Sequence, residues 1–338
     1  MKALIVSGAN ELRIEDIAPP EIGKYDALVQ IEACGICNST DAKLIEGTMF
    51  WAPPFPVVLG HESVGTVIQV GEKVRNFCVG DRVTRPLAFW PGTRAGLNVA
   101  MGGFSEMGMV RDGRAMSADG DPSLVEDYNV QRQLVLPEDT DPVHGALAIS
   151  LAETASVLLD LPPIRGKVVA IAGTGVAGLA LMLWCKLAGA IVVAIGRREP
   201  RLQQAQQLGA DHVVNSSATH WLESLRKICP MGVDVALDAT GDVSLAKALL
   251  QVSKPGGVAV AYGVPPKGIS YPSPWRNAVV EEQKCMAWVV DLLRRGWAKP
   301  EWFITHRWPL AEAVGAFDQV AKGEVLKGFV TMRATSKA

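Results

Sequence analysis

Residues 167–182, KVVAIAGTGVAGLALM, constrain the fold more than any other stretch. A β-branched apolar run enters Gly173-Thr174-Gly175-Val176-Ala177-Gly178, and a helix-forming run leaves it. Gly173 permits a tight turn, Gly175 lets the backbone approach a pyrophosphate, and Gly178 lets the helix pack close to the strand. Phosphates would sit at the helix N-terminus, where free N–H groups and the helix dipole favour anions. A lone GxGxxG is weak. This one stands in strand–turn–helix context, so dinucleotide binding is a better reading than a plain Gly-rich turn. Residues 168–185 are uncharged and long enough for a membrane span, but the three glycines divide them into a short strand and a helix.

After residue 145, strands and helices alternate: KVVAIAG, AIVVAIG, VDVALDATG and GGVAVAYGV are separated by helix-prone runs. Continuous apolar strands in such an alternation mean a parallel sheet covered on both faces. The first 150 or so residues read as short β-prone runs bounded by Gly, Pro and Asp, as in a loop-rich barrel. Residues 111–127 are polar and read as an inserted surface loop, with Arg111 and Arg114 either solvated or directed at an anionic substrate. Hydrophobic residues make up 49%, charged residues 20%, and the net charge is −2 without a like-charge block. That excludes a nucleic-acid or anionic-membrane partner from the expectation. Six irregularly spaced cysteines and no secretory leader imply reduced thiols in a cytoplasm.

The strand after the glycine-rich turn ends in VVAIGRREPRL. An NAD site wants an acid there, about 20 residues on, for the ribose 2′-hydroxyl. Gly196 stands in its place, followed by Arg197 and Arg198. Guanidiniums suit a 2′-phosphate, which favours NADP(H) over NAD(H). The competing reading is a solvated basic turn.

Residues 33–47, ACGICNSTDAKLIEG, hold Cys34 and Cys37. Alone, the pair reads as a redox motif, half a zinc finger, or one arm of a catalytic metal site. Further along come GHESVG, VGEKV and VGDRV, then GTGVAG, LGAD, DATG and ITHRWPL. Together with CGICNSTD and in this order, they resemble the zinc-containing medium-chain alcohol and polyol dehydrogenases over essentially the whole chain. The resemblance implies an α/β protein of two domains. One is a GroES-like β-barrel catalytic domain, residues 1–147 and 287–338. The other is a Rossmann nucleotide-binding domain with a doubly wound parallel sheet, residues 148–286. It also implies a catalytic Zn²⁺ on Cys37, His61 and Glu153, with Glu62 beside the metal. Thr240, Gly263 and Val264 join the cofactor contacts. Phe50, Trp51, Phe89 and Trp90 fall in segments that line the family's substrate cleft, unless they only pack the barrel.

Two departures stand out. The segment after VGDRV has no cysteine, so the four-cysteine structural zinc of many relatives is not expected. The ligand segment is one residue longer than the family pattern, leaving Ser39 or Thr40 as relay hydroxyl, and Lys43 stands where many relatives have histidine. The expected activity is reversible hydride transfer between the carbon of a polyol, sugar-derived or other secondary alcohol and C4 of the nicotinamide, in a homo-oligomer. A zinc-free NADPH-dependent quinone or enone reductase is the alternative enzyme, and a non-catalytic structural protein on this fold is the alternative class. The cysteines other than Cys37 are read as small core residues.

Overall fold

A computed structural model describes residues 1–124 and 126–332; residue 125 of the 111–127 segment and residues 333–338 of the first domain lie outside the described residues. The chain divides into two units, residues 1–150 with 286–338, and residues 151–285.

The first unit carries two sheets. The larger runs in the order Ile304–Pro309, Lys327–Thr331, Asp26–Gly35, Glu62–Val70, Arg82–Thr84, Val135–Leu136, with Met107–Arg111 also pairing to Asp26–Gly35. The long strands Asp26–Gly35 and Glu62–Val70 lie antiparallel, and Gly35 stands opposite Glu62. On the other side of Gly35 is Phe329 of the C-terminal strand. Strands distant in sequence thus meet at one point. A buried cluster including Leu4, Ile31, Cys34, Ile36, Leu44, Leu59, Phe104 and Val330 fills the interior next to it.

The 111–127 segment is not simply an inserted surface loop. Arg111 ends a strand, and Gly113–Ala118 is a short helix whose Ala115 is buried. The polar composition is explained by Asp112. Its carboxylate accepts from the backbone of Arg75, Asn76 and Ala115 and from the Asn76 side chain, at 2.8–2.9 Å. Arg111 is spent inside the fold: its guanidinium grips Asp26 at 2.5 and 2.9 Å and lies 4.1 Å from the Trp90 ring centre. Arg114 is exposed.

The second unit is a six-stranded parallel sheet in the order His212–Asn215, Ile191–Gly196, Val168–Ala172, Val233–Asp238, Ser253–Ala261, Arg276–Asn277. That is the order of a doubly wound dinucleotide-binding sheet, with the switch between Val168–Ala172 and Val233–Asp238. Val193, Ile195, Ala236, Ala246 and Leu249 belong to its apolar core. The edge strand Arg276–Asn277 is two residues long and follows Pro272 and Pro274, as expected where proline removes ladder donors.

Candidate functional site

In the first unit, ligand atoms of Cys37, His61 and Glu62 all lie within 4.8 Å of one another, the one such group among the described residues. Cys37 follows the strand Asp26–Gly35, and His61 immediately precedes the strand Glu62–Val70 paired with it, which Glu62 opens. Antiparallel pairing therefore brings the ligands together. Asp41, fully buried, ties two of them: its Oδ2 accepts from the Cys37 backbone N–H at 2.9 Å, and its Oδ1 stands 3.2 Å from His61 Nδ1. The second approach is close but poorly aligned, and both atoms lack a hydrogen-bond partner. It is an ionic contact rather than a full hydrogen bond. Glu62 Oε1 is 3.9 Å from His61 Nε2. The buried Lys327 grips Glu62 Oε2 and donates to the Ile36 carbonyl at 3.1 Å. Arg85, 2% exposed and in the left-handed backbone region at φ 52°, donates to the His61 carbonyl.

Burial opposes charge on each of these groups, and their neighbours reverse it. Desolvation disfavours the His61 imidazolium, but Asp41 and Cys37 raise its pKa well above the usual value. Desolvation also disfavours the Cys37 thiolate, yet His61 brings it below an ordinary thiol. For Glu62 the burial penalty is outweighed by Lys327 and His61, which lower it, and Glu62 in turn holds Lys327 above its usual value. A soft thiolate, an imidazole backed by a carboxylate and a hard carboxylate suit Zn²⁺, and the residues present fit that ion.

In the second unit the glycine-rich turn has the anticipated geometry. Gly173 has φ 107°, a Cβ on Gly178 would run into the Gly173 carbonyl, and a Cβ on Gly175 would meet nothing within 4 Å. The backbone at Gly175 is thus open to a ligand, at the start of the helix Val176–Leu187. Thr174 lies in the turn, and Val176 and Ala177 open the helix. At the next strand end, a Cβ on Gly196 would lie 2.6 Å from Thr174 Oγ1. The Thr174 side chain occupies that space, so any larger residue at 196 would have to displace it. Arg197 and Arg198 are exposed, and Arg201, unnoticed in the sequence, is half-buried. Burial and the charge of Arg198 lower the Arg201 pKa, so the two guanidiniums are close enough to repel.

Residues 23–119 match the family described as alcohol dehydrogenase GroES-like domain, and residues 176–291 the one described as zinc-binding dehydrogenase. A sorbitol dehydrogenase of Bacillus subtilis (strain 168) is 30% identical, over 78% of this chain and 75% of the relative. The chain belongs to the zinc-containing medium-chain alcohol and polyol dehydrogenases. A sorbitol dehydrogenase of Bombyx mori is 28% identical over 96% of this chain and 97% of its own. Among solved structures, a zinc-binding dehydrogenase from Sinorhizobium meliloti 1021 bound to NADP is 26% identical, covers 98% of both chains and superposes with a TM-score of 0.80.

Other expected residues of this dehydrogenase fall as follows. Ser39 is exposed and accepts from Lys43 Nζ at 3.0 Å, and Thr40 begins the helix Thr40–Glu46, its backbone N–H 3.4 Å from Cys37 Sγ. Burial first of all lowers the Lys43 pKa. Glu153 receives the Tyr262 hydroxyl at 3.1 Å. Phe50 and Trp51 are 74% and 44% exposed. Phe89 instead packs in the core with Ala3, Ile5 and Val58 under Arg94, and Trp90 is capped by Arg111. The barrel-packing alternative therefore describes Phe89. Cys78 is exposed rather than a core residue, because it lies in the turn closed by Asp81. Thr240 donates its hydroxyl to the Asp238 carboxylate, and the Gly263 N–H donates to the Asp238 backbone carbonyl. The sequence does not single out Asp41, Lys327 or Arg85. Asp41 ends the CGICNSTD motif, whereas Lys327 in LKGFV and Arg85 in VTRPL carry no local signal of a buried charge.

Proposed function

We propose that this dehydrogenase is a zinc-dependent, NADP(H)-linked alcohol dehydrogenase or carbonyl reductase of the cytoplasm, acting on a polyol or sugar-derived secondary alcohol. The observation that carries it is the convergence of Cys37, His61 and Glu62, backed by Asp41 and Lys327. Cys37 and His61 would hold the ion, with Glu62 as the carboxylate that the geometry brings to them and Glu153 as the one the family pattern implies. Zinc would supply Lewis acidity toward an alcohol or carbonyl oxygen, and the nicotinamide would accept the hydride from the alcohol or supply it to the carbonyl. Asp41 orients the imidazole through Nδ1, leaving Nε2 for the metal. Lys327 and Ile36 keep the Glu62 carboxylate in place. Ser39 and Lys43 form a hydroxyl–amine pair that passes a proton toward solvent. Arg197, Arg198 and Arg201 take the 2′-phosphate. The NADP-bound relative and the sorbitol dehydrogenases support the cofactor and substrate readings.

The test is metal content of the purified protein combined with NADPH and NADH assays over polyols and carbonyls. One zinc per chain and NADPH-linked turnover are expected, and zinc-free protein with full activity sinks the reading. Glu62→Gln and Glu153→Gln decide which carboxylate is the ligand, since loss of the ligand should shed more zinc than loss of a neighbouring carboxylate. A homo-oligomer is expected, and light scattering showing a monomer at micromolar concentration counts against it.

A further inference from the structure

Asp238 is fully buried at the end of the strand Val233–Asp238. Its Oδ1 accepts from the Thr240 hydroxyl at 2.5 Å and the Thr240 N–H at 3.2 Å, and its Oδ2 from the Gly241 N–H at 2.8 Å. Its backbone carbonyl accepts from the N–H groups of Tyr262 and Gly263. One residue thus holds two turns, 239–242 and 262–265. The turns touch without room for side chains: a Cβ on Gly263 would run into the Gly241 nitrogen, and one on Gly241 into the Val264 carbonyl.

The Tyr271 hydroxyl sits against both partners. It contacts Asp238 Oδ2 and lies 2.9 Å from the Gly263 carbonyl oxygen. One hydroxyl hydrogen faces two acceptors, so Tyr271 bridges the acid of one turn and the carbonyl of the other. Burial, then the hydrogen bond to Asp238, raises the Tyr271 pKa strongly, and the hydroxyl keeps its hydrogen at any ordinary pH. Its ring leans on Trp275 at 5.7 Å, and Trp275 is anchored by Nε1 to the Ala246 carbonyl at 3.2 Å. The bridge therefore stands on a fixed base.

The parallel order says what these turns serve. The turn at Gly173 and the arginines after Gly196 lie on one side of the sheet switch, and the ends of Val233–Asp238 and Ser253–Ala261 lie on the other. A dinucleotide laid across the switch places its 2′-phosphate half by the arginines and its nicotinamide half by the two turns. We propose that Tyr271 is a positioning residue that clips these turns together and preforms the nicotinamide end of the cofactor site. This rests on the dinucleotide reading above. A backbone already ordered before binding costs the ligand less.

The test uses two probes, NADPH and adenosine 2′,5′-bisphosphate, which carries the 2′-phosphate but no nicotinamide. Tyr271→Phe keeps the ring on Trp275 and removes only the hydroxyl. It should weaken NADPH about tenfold, the scale of one lost hydrogen bond to a charged group, and leave the bisphosphate unchanged. Equal losses for both probes, or none, overturn the clip. A wild-type protein that binds the bisphosphate and not NADPH also overturns it. A wild-type protein that binds neither probe, and does not bind NADH either, sinks the dinucleotide reading, and the clip with it. Hydrogen exchange on the wild type gives a second measure that needs no variant. The amides of Gly241 and Gly263 should already be protected without nucleotide, and exchange at exposed-loop rates would overturn the proposal.

Discussion

The carboxylate of Asp41 stands 3.2 Å from Nδ1 of His61 while its other oxygen holds the backbone N–H of Cys37 at 2.9 Å. One buried acid thereby orients two candidate ligands, one just after the strand Asp26–Gly35 and the other just before Glu62–Val70. Asp41→Asn keeps the shape and removes the charge. It should lower zinc affinity about 10–100-fold, the usual cost of losing a partner behind a metal-bound histidine. Competition with a chromophoric chelator measures this, and an unchanged affinity would show that Asp41 only shapes the loop.

Lys327 should matter to stability as well as to the metal. Lys327→Met leaves Glu62 as a buried carboxylate without its cation, a change that costs about 3–5 kcal/mol when no other charge compensates. Bound zinc supplies such a charge, so the loss should be larger in chelator-treated protein than in zinc-loaded protein. Urea unfolding of both forms checks this. Gly35→Ala should act on the same pair, because a Cβ there would run into Glu62 Oε2 and stand 3.2 Å from Lys327 Cε.

The cofactor arginines give a selective prediction. Arg197→Ala, Arg198→Ala and Arg201→Ala should each raise KM for NADPH by about one to two orders of magnitude, the worth of a charge-assisted contact, and leave NADH nearly unchanged. Equal losses with both cofactors would reduce the three residues to a solvated turn. Arg201→Ala carries a further signature. It relieves repulsion with Arg198, so the unliganded protein should be no less stable, as read by thermal unfolding.

Asp112 predicts an acid transition. Burial by itself would raise its pKa, but the Arg75, Ala115 and Asn76 donors lower it below the ordinary carboxylate value. A depressed pKa contributes stability above the unfolded value of about 3.9, which is lost as pH falls through the lower folded value. Asp112→Asn should therefore destabilise at pH 7 by about 1–3 kcal/mol and flatten the fall in stability below about pH 4. Denaturant midpoints across that range decide it.

The parallel sheet and the glycine-rich turn were legible in the chain, and Cys37 stood out as part of a Cys-x-x-Cys pair. Each is a local pattern, since backbone space, strand periodicity and ligand chemistry act over a few residues. Family likeness supplied His61 as a partner for Cys37, and Glu153 as a third ligand that nothing local identifies. Other features depended on pairing. Lys327 reaches Glu62 only because the C-terminal strand lies beside Asp26–Gly35, which lies beside Glu62–Val70. Gly196 reads as an absent acid, yet its meaning depends on Thr174 filling the space beside it. Arg111 reads as solvated or substrate-directed and Phe89 as either cleft-lining or barrel-packing, and packing places them against Asp26 and in the barrel core. Sequence determines what each residue can donate, accept or bury. Only the tertiary structure decides which partner satisfies it, because a buried charge finds its counter-charge across strands far apart in the chain.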